Sequence, residues 1–351
     1  MKIVVPSLVL VGLLLPRVVV ASGQDRPDAR KASGWEKYQK NPVLGGSLGT
    51  CFDVTVLREA GKYRMWFSWR PRRSIALTES NNGLTWSKPV IAVGPNAKSG
   101  WEEDVNRPIV LKKGGTYHMW YTGQAKGKSW IGYATSADGK AWKRRSTRPV
   151  LSPERTWEKV AVMCPHVLYD GKDKLYRMWY SAGEQFEPNA IGYATSPDGL
   201  RWSRHGRNPV FRPDPTSRWE RDRVTACQVV KQGDWYVMFY IGFRDQHTAQ
   251  IGLARSRDGI TRWRRHAANP IIRPGAGKWD ADSCYKPFAL FDGKRWLLWY
   301  NGRKGDVEQI GVATHDGEDL GFGREKRSGA GVKPKCSCLA GPFTRALFMT
   351  V

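Results

Sequence analysis

Five residues of unlike chemistry, Asp53, Arg107, Cys164, Ala226 and Lys286, stand at one equivalent place in this chain. Each precedes, by a similar interval, an aromatic run of the type "RMWF" or "MWYT". A position that only packs tends to keep one residue type. An acid, two bases, a thiol and a methyl at equivalent places are what a ligand site built on a repeat should look like. Asp53 is the lone acid of the set and the best single candidate for proton transfer. A second set follows the spacing Trp-x-x-Asp: Asp104, Asp222 and Asp282, with Val160 at that place in the third copy. Repeated carboxylates also suit a plain structural duty, accepting bonds from nearby backbone N–H groups. Charged groups crowd the loops "RPRRS", "EQFEPNA", "FRDQHTAQ" and "RKGDVEQ", which bring Arg70, Glu184, Glu187, Arg244, Asp245 and Arg303 into consideration. Binding residues concentrate on such loops over a rigid scaffold.

The elements that must position these groups are repeated. "IGYATSADGKAW" begins at Ile131 and "IGYATSPDGLRW" at Ile191; related phrases begin at Ile75, Ile251 and Ile310. The spacings are 56, 60, 60 and 59 residues, a period that points to a propeller or solenoid. Asp-Gly or Asn-Gly between alternating apolar runs is a hairpin signal, because the turn needs positive φ. Helical repeats are excluded by the lack of 3.6-residue periodicity and by the β-branched and aromatic residues that dominate. The second, third and fourth copies also hold "RPVL", "NPVF" and "NPII", whose Pro suits an outermost strand. The expectation is an all-β, five-bladed β-propeller with four antiparallel strands per blade. The last copy lacks its "NPV" phrase, and an orphan "NPVL" stands at Asn41–Leu44. An N-terminal strand is therefore expected to close the ring in the last blade.

At 351 residues the chain could hold two domains, but the unbroken repeat argues for one. Seventeen Trp and thirteen Tyr supply ample core area. Residues 1–23 read as a secretory signal peptide, with Lys2 before an apolar run too short to span a membrane. The reading assigns 24–40 to a flexible linker, 41–322 to the propeller and 323–351 to a disordered tail carrying Cys336 and Cys338. It places the protein outside the cytoplasm, secreted or periplasmic. The formal charge of +25 reads as a basic rim, and no nucleic-acid motif accompanies it. Export permits disulfides. Cys51–Cys284 would staple the seam and Cys164–Cys227 is a second pairing; free buried thiols are the alternative.

Five such blades, with a single Asp on the first inner strand and carboxylates from later blades, resemble the glycoside hydrolases of five-bladed propeller type. These are families 43 and 32 and the mannoside phosphorylases of family 130. The resemblance runs from about Asn41 to Phe322 and rests on the "SPDG" and "NPV" phrases. It implies an enzyme acting on a poly- or oligosaccharide, neutral or anionic, at the axial funnel. The alternatives are a non-catalytic carbohydrate-binding propeller and a phosphate-dependent phosphorylase. By resemblance, Asp53 in "FDV" is the base or nucleophile. The family's "RDP" acid is replaced by Arg107 in "NRP", with Asp104 three residues earlier, and the Glu of "ECP" by Met163 in "MCP". Cleavage needs a second carboxyl to protonate the leaving oxygen. Asp104, Asp222, Asp282 and Glu184 are the candidates, with Asp245 in reserve. Arg70, Arg107, His166, Arg244, Lys286 and Arg303 would receive a carboxylated or sulfated sugar, or inorganic phosphate. Their charge favours Asp53 as base rather than acid. No cofactor or catalytic metal is expected, apart from a structural calcium ion that the axis could hold.

Overall fold

The structure, a computed structural model, describes residues 33–186 and 188–323. The signal-peptide reading, Glu187 and the tail with Cys336 and Cys338 lie outside the described residues. The described chain is all-β, its only helices being short 3-10 turns.

Strand β1 (Trp35–Lys37) comes first. The first unit follows with β2 (Cys51–Glu59), β3 (Lys62–Trp69), β4 (Ser74–Ser80) and β5 (Val90–Val93). The second holds β6 (Asp104–Lys113), β7 (Thr116–Ala125), β8 (Lys128–Ser136) and β9 (Lys143–Arg144). The third holds β10 (Ala161–Asp170), β11 (Leu175–Gly183), β12 (Pro188–Ser196) and β13 (Ser203–Arg204). The fourth holds β14 (Arg223–Gln232), β15 (Trp235–Phe243), β16 (Ala249–Ser256) and β17 (Arg264–Arg265). The last consists of β18 (Ser283–Phe291), β19 (Arg295–Lys304) and β20 (Val307–Asp316), with β1 added at its outer edge. Each unit is an antiparallel meander; a single parallel pair, Ala161 with Ser129, joins the second and third into one sheet.

Two expectations need correction. The "NPV" phrases do not form regular strands. Each makes one bridge: Leu151 to Ile131, Phe211 to Ile191, Ile272 to Ile251 and Leu44 to Ile310. Proline has no N–H to continue a ladder. The fourth strand proper lies just ahead, as the short β9, β13 and β17, and in the last unit as β1. The expected linker 24–40 thus contains a strand. Trp35 pairs with His315 and is buried against Phe239, so apolar burial fixes the segment.

The repeated turn is a socket for the neighbouring unit. Trp66, Trp120, Trp179 and Trp299 are fully buried. Their indole N–H groups donate to the turn-glycine carbonyls of the next unit: Gly139 at 3.0 Å, Gly199 at 2.9 Å, Gly259 at 2.8 Å and, from the last unit to the first, Gly83 at 2.9 Å. The glycine is required twice over. At Gly199 φ is +78°, and a Cβ would stand 2.8 Å from the Trp120 ring.

A second device ties inner loop to outer strand. The residue after each loop Trp is a buried carboxylate: Glu102, Glu158, Glu220 and Asp280. Each meets the tyrosine of its own β-meander and a cation of the fourth strand. Glu102 accepts from Tyr121 at 2.5 Å and Arg144 at 2.9 Å. Glu158 accepts from Tyr180 at 2.8 Å and Arg204 at 2.9 Å. Glu220 pairs with Tyr240 and Arg265. Asp280 accepts from Tyr300 at 3.0 Å and pairs with Lys37 of β1 at 2.5 Å. Such a paired, hydrogen-bonded buried charge is costly to break from one side.

Candidate functional site

On every inner strand the antiparallel register slips at the same place: Phe52/Thr55, Asn106/Ile109, Met163/His166, Thr225/Cys227 and Tyr285/Phe288. The residue at each slip has positive φ: Asp53 (53°), Arg107 (54°), Cys164 (52°), Ala226 (31°) and Lys286 (55°). A bulge re-aims a side chain. Left-handed backbone at a non-glycine costs about 1–3 kcal/mol and clusters at functional sites. Four of these bulges are held by the preceding unit. The N–H of Asp53 donates to Asn301 Oδ1 at 3.0 Å, that of Arg107 to Ser68 Oγ at 2.8 Å, that of Cys164 to Thr122 Oγ1 at 3.1 Å, and that of Ala226 to Ser181 Oγ at 2.7 Å.

All five bulge residues line one cavity of about 40 Å³, together with His166, Gln228 and Phe288. A water needs about 10–15 Å³ of such space, so the cavity suits a few waters or one small polar group. Asp53 is only 4% exposed. Arg107 Nε lies 3.5 Å from its Oδ2, and Lys286 Nζ lies 3.6 Å from its Oδ1. Neither oxygen accepts a hydrogen bond among the described residues. Burying such an acceptor unpaired is expensive, and a ligand donor would relieve it. Lys286 Nζ also donates to Cys164 Sγ at 2.7 Å.

Arg107 is positioned by a polar chain. Its Nη1 donates to Asn106 Oδ1 at 2.7 Å, and Asn106 Nδ2 donates to Asp104 Oδ1 at 2.8 Å. Asp104 therefore orients the cation beside Asp53 through Asn106.

The second carboxyl of the site is one the sequence reading passed over. Glu308, at the start of β20, accepts a long contact of 3.4 Å from Asn301 Nδ2, while Asn301 Oδ1 holds the Asp53 N–H. Burial pushes the Glu308 carboxyl above its ordinary range, and the Asp53 charge adds to that. Arg70, 3.5 Å away, together with Tyr285 and Arg107, opposes the shift. A signal existed. Two residues before the shared Ile of each copy stand Arg73, Ser129, Asn189, Ala249 and Glu308, a second divergent set.

The other expected residues lie elsewhere. His166 lines the cavity, but its Nε2 is bonded to the Val229 carbonyl at 2.7 Å and burial lowers its pKa to about 4. It is neutral at neutral pH and brings no charge for an anion. Asp222 pairs with the adjacent Arg223 at 2.6 Å. Glu184 is half exposed and pairs with Lys159 at 2.6 Å. Asp245 caps its own loop, accepting from the N–H groups of His247 and Thr248 and from Arg244, which hold its carboxyl well below the usual range. Asp282, Arg244 and Arg303 line a separate cavity. Met163, where the family resemblance put a Glu, is fully buried among apolar side chains.

Cys51, Cys164, Cys227 and Cys284 are free thiols, so neither expected disulfide is present. Cys51 and Cys284 face different neighbours. Cys284 Sγ lies 3.5 Å from Asp280 Oδ2, whereas Cys51 is buried near Glu308 with its pKa pushed up to about 12. Among the described residues no three His, Cys, Asp or Glu side chains gather to hold a metal ion. Around Asp53 two cations stand within 3.6 Å, a poor fit to the calcium ion the sequence reading allowed.

Comparison with known proteins follows this geometry. The pattern of the Glycosyl hydrolases family 32 N-terminal domain matches residues 95–279, just over half of the chain. "Uncharacterized protein MT1551" of Mycobacterium tuberculosis (strain CDC 1551 / Oshkosh) is 30% identical over 221 residues, 58% of this chain and 70% of that protein. A "1,2-beta-oligomannan phosphorylase" of Thermoanaerobacter sp. (strain X514) is 27% identical over 247 residues, 66% of this chain and 75% of that one. Among solved structures, a "Glycoside hydrolase" superposes with a TM-score of 0.68 at 20% identity, covering 79% of this chain and 90% of the other. The "Beta-1,2-Mannobiose phosphorylase from Listeria innocua" superposes with a TM-score of 0.61 at 15% identity, covering 80% and 96%. At these identities the structural likeness speaks for the fold, a propeller-like one. The chain is a propeller glycoside hydrolase-like protein and belongs to the family of the glycosyl hydrolase family 32 N-terminal domain.

Proposed function

We propose that this protein cleaves a glycosidic bond of a poly- or oligosaccharide at the axial mouth of a five-bladed propeller, closed by its N-terminal strand. The observation that carries the reading is the pairing of two unlike carboxyls through Asn301. Asp53, beside Arg107 and Lys286, is suited to act as base or nucleophile. Glu308, held towards its protonated form by burial, is suited to protonate the leaving oxygen. Ring closure is supported by the bonds from the last unit to the first, Trp299 to Gly83 and Asn301 to Asp53, and by the pairing of β1 with β20. The apolar pattern of residues 1–23 supports export.

Phosphorolysis is the second reading. Arg70, Arg107 and Lys286 surround the two carboxyls, and guanidinium and ammonium groups together suit phosphate. The name of the Thermoanaerobacter relative points the same way. Incubation with a panel of neutral and anionic oligosaccharides, with and without inorganic phosphate, tests both. Free reducing sugar without phosphate supports hydrolysis, and a sugar 1-phosphate supports phosphorolysis. Binding without turnover under either condition overturns the catalytic reading.

A further inference from the structure

A second cavity, of about 720 Å³, lies between the fourth and fifth units. Its walls come from the loop after β15, the loop between β19 and β20 and the approach to β18. The loop after β3 that carries Arg70 is of the same kind, and Glu308 begins β20 beside the β19–β20 loop, so the cavity opens on the face of the proposed funnel. Three guanidinium groups, Arg244, Arg273 and Arg303, line it with His247, against the carboxylates of Asp282 and Asp306. Asp282 is already engaged, its Oδ2 accepting the Gly305 N–H at 2.7 Å. Arg244 is partly engaged, by Asp245 at 2.9 Å and Thr248 at 3.1 Å. Arg303 donates from Nη2 to the His247 carbonyl at 2.9 Å, but its Nε is buried with no hydrogen-bond partner. A buried charged donor left unmade is costly, and an acceptor oxygen entering the cavity would satisfy it, a carboxylate or sulfate oxygen most strongly. Arg303 also stands opposite Glu308 in the β19–β20 register. One hairpin end thus carries both a wall of this cavity and the proposed general acid.

We propose that this cavity receives the carboxylate or sulfate of an acidic sugar residue, in an oligosaccharide whose scissile bond lies at Asp53 and Glu308. The inference rests on the glycoside-cleaving reading and adds a substrate class to it: anionic glycans over neutral ones. The cavity is of the size that holds a sugar-sized ligand. A neutral sugar hydroxyl would meet the same guanidinium groups with weaker bonds that lack the charge assistance a carboxylate or sulfate brings.

Titration calorimetry on the intact protein tests this without turnover. The probes are tetragalacturonate, a sulfated galactan tetrasaccharide and neutral β-1,2-mannotetraose. At least one anionic probe is expected to bind at least tenfold tighter than the neutral one. Whether that is the uronate or the sulfate ester identifies the acidic group. Arg303→Gln and the exposed Arg273→Ala, each with a wild-type melting temperature, should cut the ratio of anionic to neutral affinity at least tenfold. The preference should also shrink at 0.5 M salt. Equal binding of all three probes, or an unchanged ratio in both folded variants, overturns the inference. Turnover of a neutral glycan with no anionic preference sinks this inference and leaves the cleavage reading standing. Arginine-dependent anionic binding without turnover of any glycan does the reverse.

Discussion

At the residue scale, what marks the site is disagreement between copies. Packing positions repeat their residue, as the strand Trp and the turn Gly do. The bulge positions hold Asp53, Arg107, Cys164, Ala226 and Lys286, and that divergence made the cavity legible in the sequence. Glu308 was harder to see, because its chemistry comes from burial beside Asp53, which only the fold reveals. Its carboxyl titrates above the ordinary glutamate range, so the protonated acid persists to higher pH and is lost as pH rises through the elevated value. Glu308→Gln should therefore remove the alkaline limb of the kcat/KM profile and lower turnover about a hundredfold or more. It should also raise the melting temperature near neutral pH and not at pH 4. An unchanged alkaline limb would exclude Glu308 as the acid. His166 has the opposite sign. Its folded pKa of about 4 lies below the ordinary imidazole value of 6.5, so its contribution is complete above 6.5 and drains away as pH falls to about 4. Unfolding free energy should drop by on the order of 3 kcal/mol across that window. His166→Gln should flatten the drop in a urea titration series.

At the element scale, the four-strand period, the hairpins and the N-terminal contribution to the last unit were readable, because alternation and Asp-Gly turns are local signals. The outer strand was misplaced, since "NPV" marks a bridge and the true β-pairing falls on short charged segments such as Lys143–Arg144. The carboxylates directly after the loop Trp were overlooked in favour of those three residues after it. Only the fold reveals that Glu102, Glu158, Glu220 and Asp280 are buried under tyrosines. Lys37 is the cation of the last such group and comes from the far end of the chain. Lys37→Met leaves Asp280 buried without its cation and should cost roughly 3 kcal/mol in denaturant unfolding. Lys62→Met, at an exposed lysine, should cost almost nothing. Equal, small effects would show that β1 is not a working part of the last unit. Gly199→Ala should destabilise by about 1–3 kcal/mol, since it forces positive φ and presses on Trp120.

At the scale of the whole molecule, four of the units hand a Trp N–H bond to the next, and the inner-strand bulges of all five line the cavity that holds Asp53. No single unit makes the site. Asp53 comes from the first, its cations from the second and last, and its neighbouring carboxyl from the last. Asp53 is the group proposed to react. The decisive measurement is the turnover of Asp53→Asn on whichever glycan the wild-type protein cleaves, paired with its circular dichroism and melting curve. A native fold with turnover reduced at least about a hundredfold is expected. A folded Asp53→Asn protein that turns over at near wild-type rate would contradict it.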